Sequence, residues 1–568
     1  MDVIKSIQNY VNKMVDNVPG MKALLLDTET TPIVSLVTTQ SVLLTKECYL
    51  IDRVDNRNRD KMKHLKCVCF LRPTRETIQY LMEEIRDPAY GHYYLYFSNI
   101  LRKSDIEQLA EVDEHEVVRE VQEYFGDYQA INNDLFSLGT TTLFGADATS
   151  WDQGALEQSV KGISSVLLSL KKKPVIRYER ASAMAKQLAH EIQRHIQVEG
   201  QLFDFRRPDT PPILLILDRR NDPVTPLLTQ WTYQAMVHEL LGIHHGRVDM
   251  SNVPDIRNEL KEIVLSPDQD PFFNKSMYLN LGDLGANIKQ YVEEYQTKTK
   301  SNMNIESIAD MKRFVEEYPE FRKLSGNVSK HVALVSELSR RVAQDHLLEV
   351  SELEQNLACN ENHNSDLKNI QQLIENADIS EDSKVRLVLL YALRYEKAPN
   401  NAIKALIDLL DRAGVSEQKS SLVPAILFYA GYQQRQDDLF SNQTFLSRGK
   451  NALKGLKGVE NVYTQHTPLL GETLDLLIKT RLKEASYPYV DSQYQIAHER
   501  PQDIIVFMVG GATFEEAKYI AQLNATTPGV RIVLGGTCIH NGKSFLQQLD
   551  QVGQRYMDFS ASRRTGRA

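Results

Sequence analysis

No stretch of this chain comes near the roughly 18 consecutive apolar residues that a helix needs to cross a bilayer, so membrane association is expected only through a partner. The opening residues lack the continuous apolar core and small-residue cleavage site of a signal peptide, and neither end carries a lipidation motif. Cysteine is scarce. The five cysteines among 568 residues (Cys48, Cys67, Cys69, Cys359, Cys538) are odd in number, scattered and without a CxxC pair. That usage points to reduced thiols in a cytosolic compartment rather than to a disulfide frame. A dominant charge is missing too: 66 basic and 75 acidic residues are spread along the chain, for a formal charge of -9. A dedicated nucleic-acid binder, whose affinity comes from neutralising phosphates, is therefore not expected.

Catalytic and cofactor signatures are equally thin. His238, Glu239, His244 and His245 lie close together, but Gly242 stands where the second histidine of an HExxH pair would fall, so no metal is assigned. Asp218 and Asp222 end an apolar run where an α/β enzyme keeps its chemistry, yet no nucleophile, base and orienting group accompany them. Their simpler roles are to cap the strand exit and to fix the Pro223 turn. The loop GGTCIHNGKSF, 535–545, sets Gly-Lys-Ser between a strand and a helix as a P-loop does. A Walker-A nest needs glycine at Thr537, and Gly536 comes one residue early. No cofactor is expected, and a nucleotide-binding α/β enzyme using this loop is the alternative to a binding protein.

What is present is alternation. A length of 568 residues calls for about three or four domains. Short apolar runs at 21–27, 48–52, 66–73 and 92–99, with a helical stretch at 74–85, predict a parallel sheet wound with helices. The amino-terminal 15 residues place Val3, Ile4, Ile7, Val11 and Val15 on one helical face. A boundary is set near Leu138, where the sequence turns small and polar. The stretch 211–243 then reads as a fully buried strand (Ile213 to Leu217), a turn, and an apolar helix containing Trp231. From about 230 to 470 helix periodicity dominates, and Pro319 is expected to bend or break a long helical run. The α/β pattern returns near 501. The fold class that follows is α/β with an all-helical insertion. Its domains are 1–138, a discontinuous second of 139–228 plus 470–568, and a mainly helical 229–469. The last nine residues are polar and expected to be disordered.

Three stretches identify a family. LLILDRRNDPVTPLLTQWTYQAMVHELLGI, KGLKGVENVYTQHTPLL (454–470) and RPQDIIVFMVGGATFEEA followed by TPGVRIVLGGT resemble the SM (Sec/Munc-like) proteins, chaperones of SNARE assembly, and among them the endosomal branch. The resemblance implies a non-enzymatic three-domain arch, with two Rossmann-like parallel-sheet domains and a helical third. It implies a protein that binds a syntaxin-type (Qa) SNARE and the assembled SNARE complex. The implied role is SNARE assembly in vesicle transport to endosomes and the trans-Golgi network, by a chain that is cytoplasmic and peripheral to endosome and Golgi membranes.

It also implies residues. A syntaxin N-peptide groove on the first domain falls on Ile106, Leu109, Val117, Val118 and Val121, with Glu123 as acidic partner. The other reading is that Ile106 and Leu109 pack inward, as any amphipathic helix requires. A templating hairpin, about 283–358, falls on Pro319, His331 and Val332, with Pro319 either a moving hinge or a fixed kink. Asp52 and Trp231 are assigned to the arch cavity. Two basic positions that clamp a closed syntaxin in neuronal members align with Pro32 and Thr39, which lack that charge. A helical tethering scaffold is the third reading.

Overall fold

The computed structural model describes residues 1–303, 308–440, 462–491 and 499–565; residues 454–461 of the late family motif lie outside them. The first apolar runs form a five-stranded parallel sheet. Its order is Cys48–Arg53, Lys22–Leu26, Met62–Leu71, Tyr90–Phe97, Val118–Glu123. Alternate residues of the inner strands serve two cores, because side chains along a strand point to opposite faces. Leu24, Val68, Phe70 and Tyr96 join Val3, Ile4, Ile7 and Val11 of the helix Val3–Asp16. Leu25, Cys67, Cys69, Leu95 and Phe97 join the helices Arg75–Arg86 and Lys103–Val112.

The strand Ile213–Asp218 is buried along its whole length, as its apolar run requires. It pairs in parallel with Asp503–Val509, nearly three hundred residues later, and that strand pairs with Arg531–Gly536. The chain thus leaves this sheet after Asp218 and returns at Asp503. Arg219 joins the two parts: its guanidinium donates to Glu516 Oε2 at 2.5 Å and to the Gly511 carbonyl at 3.0 Å, with neither side chain of the ion pair exposed.

The boundary expected near Leu138 is too late. Gln129–Asn132 and Leu135–Ser137 belong to the second, six-stranded sheet, where Leu135–Ser137 runs parallel to Arg531–Gly536. The division between sheets therefore falls between Glu123 and Gln129. The small polar residues after Leu138 mark a loop inside the second sheet's unit, and a loop has the same composition as a linker. Gly535 makes the pairing possible, since a Cβ there would lie 2.0 Å from the Phe136 ring.

The insertion is helical apart from small elements that include a two-stranded antiparallel ribbon, Arg247–Asp249 with Glu262–Val264. Its hairpin consists of Leu281–Met303 and Ile308–Gln344. The second helix passes through Pro319 without ending, so of the bend or break expected there the break does not occur. A proline removes one hydrogen bond of the ladder, and a helix of 37 residues retains the rest. The interruption comes instead at His346, whose φ of 51° is left-handed, and Leu347–Cys359 starts afresh beyond it. The expected hairpin limit of 358 thus included a separate helix. Of the last nine residues, 560–565 continue the helix Gly542–Thr565, and 566–568 lie outside the described residues.

Candidate partner-binding surfaces

The groove residues divide by exposure. Ile106 is 44% exposed on the helix Lys103–Val112, whereas Leu109 of the same helix is 5% exposed and belongs to the core beneath it. Val117 lies in that core as well, and Val118 packs against it. For Leu109 and Val117 inward packing is therefore what the fold realises.

Val121 is 41% exposed on the edge strand Val118–Glu123. Its register partner is Leu95, and that of Glu123 is Phe97. Leu95 and Phe97 face the helix Lys103–Val112, and register partners share a face. Val121 and Glu123 thus flank that helix on the sheet side, with Ile106 on its exposed surface. Glu123 is already engaged, because its Oε1 accepts the Leu101 N–H at 2.7 Å. Burial pushes its carboxyl pKa up, the Leu101 amide opposes this, and nearby Glu199 adds to the rise.

At the opposite edge of the first sheet, Asp52 lies one residue before the end of the strand Cys48–Arg53 and accepts from the Asn56 amide nitrogen on both carboxylate oxygens, at 3.1 and 3.0 Å. Ile51 pairs with Leu24 where Asp52 pairs with Leu25, so the two lie on opposite faces of the sheet, and Tyr49, Ile51, Val42, Leu44 and Met21 are exposed apolar residues of this edge region. Only Asp52 of this group was read from the sequence. The alternation of Tyr49 and Ile51 about Leu50 was the available signal. Pro32 is buried in the helix Thr30–Val37, and the Thr39 hydroxyl caps the next helix by accepting the Val42 N–H at 3.3 Å.

His331 was expected on the hairpin's contact surface, but it is fully buried. Its Nε2 donates to Asp270 Oδ2 at 2.7 Å, and the Tyr233 hydroxyl donates to its Nδ1 at 2.7 Å. A carboxylate only accepts, which fixes this tautomer for the neutral ring. Lys330 adds an ion pair to the same carboxylate at 2.6 Å. His331 shares its helix face with Leu334 and Leu338, one and two turns on, and both are core residues. It therefore ties the hairpin to the helical body and does not face a partner. Val332, the next residue, is 37% exposed and lines an open groove of about 480 Å³ with Val292, Val328 and Ile256.

Trp231 is also a core residue, 6% exposed, with its indole N–H donating to Ser351 Oγ at 2.8 Å. Its assignment to a cavity surface does not hold, because burial of a ring this size on a hydrogen-bonded scaffold leaves no free face.

The P-loop-like segment has its anion position filled. The Gly542 N–H donates to Glu239 Oε2 at 2.8 Å, and Arg386 holds the other Glu239 oxygen at 2.5 Å. A carboxylate thus occupies the helix N-terminus where a phosphate would sit. His238 is also spent on structure, accepting the Ile243 N–H and donating to the Ile539 carbonyl, and no metal-binding cluster occurs among the described residues. Asp222 accepts the N–H and hydroxyl of Thr225, and Asp218 accepts the Ser182 hydroxyl and the Arg220 N–H. Both acids play the turn and capping roles.

His540, in the same loop, bonds the Gly510 carbonyl at 2.7 Å; burial, aided by the Arg219 charge, pushes its pKa down to about 3. An unfolded histidine titrates near 6.5. Between these values the unfolded chain binds a proton that the folded chain refuses, so stability falls as pH falls through that window. His540→Gln is expected to reduce the acid slope by about 1.4 kcal/mol per pH unit there. Urea titrations of both proteins at pH 7, 6 and 5 measure the difference.

Taken as a whole, the chain consists of a parallel sheet, a second, mainly parallel sheet and a helical insertion carrying a hairpin. The Sec1 family profile matches residues 22–548, and the chain belongs to that family. Vacuolar protein sorting-associated protein 45 of Mus musculus is 53% identical over 570 residues, covering 100% of this chain and 99% of that protein. Its counterpart in Saccharomyces cerevisiae is 40% identical, covering 95% of this chain and 98% of that protein. Among solved structures, the SM protein Vps45 in complex with the Qa SNARE Tlg2 (1-310) is 57% identical, with a TM-score of 0.91 over 98% of this chain and 99% of that one. The fold is the three-domain arch of these SM proteins. Among the described residues no helix is long and apolar enough to cross a membrane.

Proposed function

We propose that this chain binds a Qa SNARE and promotes assembly of its SNARE complex in transport to endosomes and the trans-Golgi network, without chemical turnover. The observation that carries this reading is the likeness, over 98% of the chain, to a protein solved with a Qa SNARE. The units are the first sheet, the discontinuous second sheet and the helical insertion, with the first division moved to between 123 and 129.

In this reading the Qa SNARE's N-peptide lies between Ile106 and Val121. The exposed apolar edge at Tyr49 and Ile51 and the hairpin groove at Val332 receive the helical part of the SNARE. Glu239 at the Gly542 amide favours a binding protein over a nucleotide enzyme, and the two parallel sheets leave no place for a purely helical scaffold. The chain works in the cytosol, held at endosomal and Golgi membranes chiefly by the SNARE. The mechanism is a bias of SNARE conformations, which requires only that the chain bind the assembling form better than the free one.

The test is a fluorescence assay of assembly from the Qa SNARE and its partner SNAREs. Wild type is expected to raise the rate. Val332→Asp, at an exposed position, is expected to return the rate toward the unassisted value while leaving N-peptide affinity intact. A wild-type chain that leaves the rate unchanged would remove the assembly role.

A further inference from the structure

Glu123 is the last residue of the strand Val118–Glu123, and from there the chain crosses to the second sheet's unit. The crossing is short and firmly held. The Asp127 N–H donates to Ser165 Oγ at 2.7 Å and the Asn99 amide to the Lys161 carbonyl at 3.1 Å, so the carboxyl end of the first sheet rests on the helix Gln153–Ser169. The helix Ala183–Val198 packs against that helix. Its C-terminus thereby brings Glu199, a residue of the other unit, within electrostatic range of Glu123.

Two carboxylates thus meet at the junction of the units without a cation between them. Glu123 Oε1 accepts the Leu101 N–H, and its second oxygen has no donor among the described residues. The Glu199 N–H donates to the His195 carbonyl at 2.9 Å, whereas its carboxylate has no hydrogen-bond or ion-pair partner among the described residues. The one charge that acts on Glu123 is that of Glu199, which has the same sign. The neighbouring bases are committed elsewhere. Lys161 pairs with Glu157 at 2.6 Å, Arg194 with Glu191 at 2.6 Å and Arg102 with Asp105 at 3.0 Å, and Lys103 has Glu107 one turn on. His195, the base of the last helical turn, is held below its usual pKa by burial against the pull of Glu199, so its ring is neutral at pH 7.

A solitary glutamate at a helix end is a solvated residue and needs no further account. Glu199 differs because it stands beside the second carboxylate, at the negative end of a helix whose dipole attracts cations. Apolar exposure also continues past the pair. Val121 lies two residues before Glu123, and Val198, immediately before Glu199, is 68% exposed.

We infer that Glu199 is a specificity-determining residue of the N-peptide site, and that with Glu123 it holds a basic side chain of the Qa SNARE peptide between the two units. The inference rests on the reading of that site given above and extends it to the second unit. An arginine suits the position best, because its planar fork of donors serves two carboxylates at once. A peptide seated this way touches both sheet units and spans their junction at 124–128.

The test is isothermal titration of the full chain with a Qa SNARE N-peptide and with the same peptide carrying glutamine in place of every arginine and lysine. Wild type is expected to bind the basic peptide about tenfold more tightly. Glu199→Lys is expected to erase that preference, to leave affinity for the glutamine peptide unchanged, and to melt with wild type because the Glu199 side chain makes no bond within the fold. Glu199→Gln is expected to lose about threefold for the basic peptide alone, and it serves should the charge reversal disturb the helix end. Equal loss of both peptides on Glu199→Lys, or loss of neither by both variants, overturns the inference. Ile106→Arg separates this from the reading beneath it. If Ile106→Arg weakens the peptide and the Glu199 variants do not, the site stands without Glu199; a folded wild type that binds neither peptide removes the site itself.

Discussion

Ile106→Arg is expected to weaken binding of a Qa SNARE N-peptide by about thirtyfold or more, the loss when an interface anchor worth about 2 kcal/mol is removed. Its melting temperature is expected to match wild type, because Ile106 is largely exposed on the helix Lys103–Val112 and supports no core. Leu109→Ala, one turn on, provides the contrast. Leu109 is buried beside Leu95 and Phe97, and truncating such a residue costs about 2–5 kcal/mol. Its effect should appear in thermal or urea unfolding and reach the peptide only through loss of fold. Isothermal titration with the peptide, paired with thermal denaturation, separates the two. Equal affinity of Ile106→Arg and wild type would move the peptide off this face.

Arg219→Met carries the largest expected loss of stability. Arg219 and Glu516 are both fully buried, and removing one member of such a pair leaves an uncompensated charge at a cost of about 3–5 kcal/mol. Their pairing joins the segment after Ile213–Asp218 to the helix Phe514–Thr526, so the penalty falls on closure of the discontinuous second sheet. The double variant Arg219→Met with Glu516→Leu removes both charges and should be more stable than Arg219→Met alone. Urea unfolding of the set checks this. A double variant no better than the single one would mean that the hydrogen bonds of Arg219 to Gly511 and Asp222 matter more than the charge pair.

The contrast between these two sites shows what the sequence made legible. Apolar runs such as Ile213 to Leu217 specify buried strands without ambiguity, and the return of such runs near 504 announces a discontinuous unit. Face assignment within a single helix is harder. Ile106 and Leu109 are three residues apart and equally apolar, and only the sheet beneath decides which is core. Val121 and Glu123 required the strand register with Leu95 and Phe97 before they could be placed beside that helix.

The end of the hairpin and the burial of His331 were missed for a different reason. Pro319 is a strong local signal, but a long helix tolerates one missing hydrogen bond, and the left-handed turn at His346 carries no proline or glycine to advertise it. His331 is a polar residue whose burial depends on Asp270 and Tyr233, far apart in sequence, so nothing local distinguishes it from a surface histidine. The exposed apolar residues Tyr49 and Ile51 were hidden by the same ambiguity that conceals any half-buried edge strand, since period-2 alternation does not say which face meets solvent.

The most direct measurement is titration of the purified chain with the cytosolic region of an endosomal Qa SNARE, with and without its N-terminal peptide. The account predicts saturable one-to-one binding that weakens by tenfold or more when the peptide is removed and does not vanish, because the apolar edge at Tyr49 and Ile51 and the hairpin groove still engage the helical part. Absence of binding to every Qa SNARE tested, by a chain shown to be folded, would contradict it.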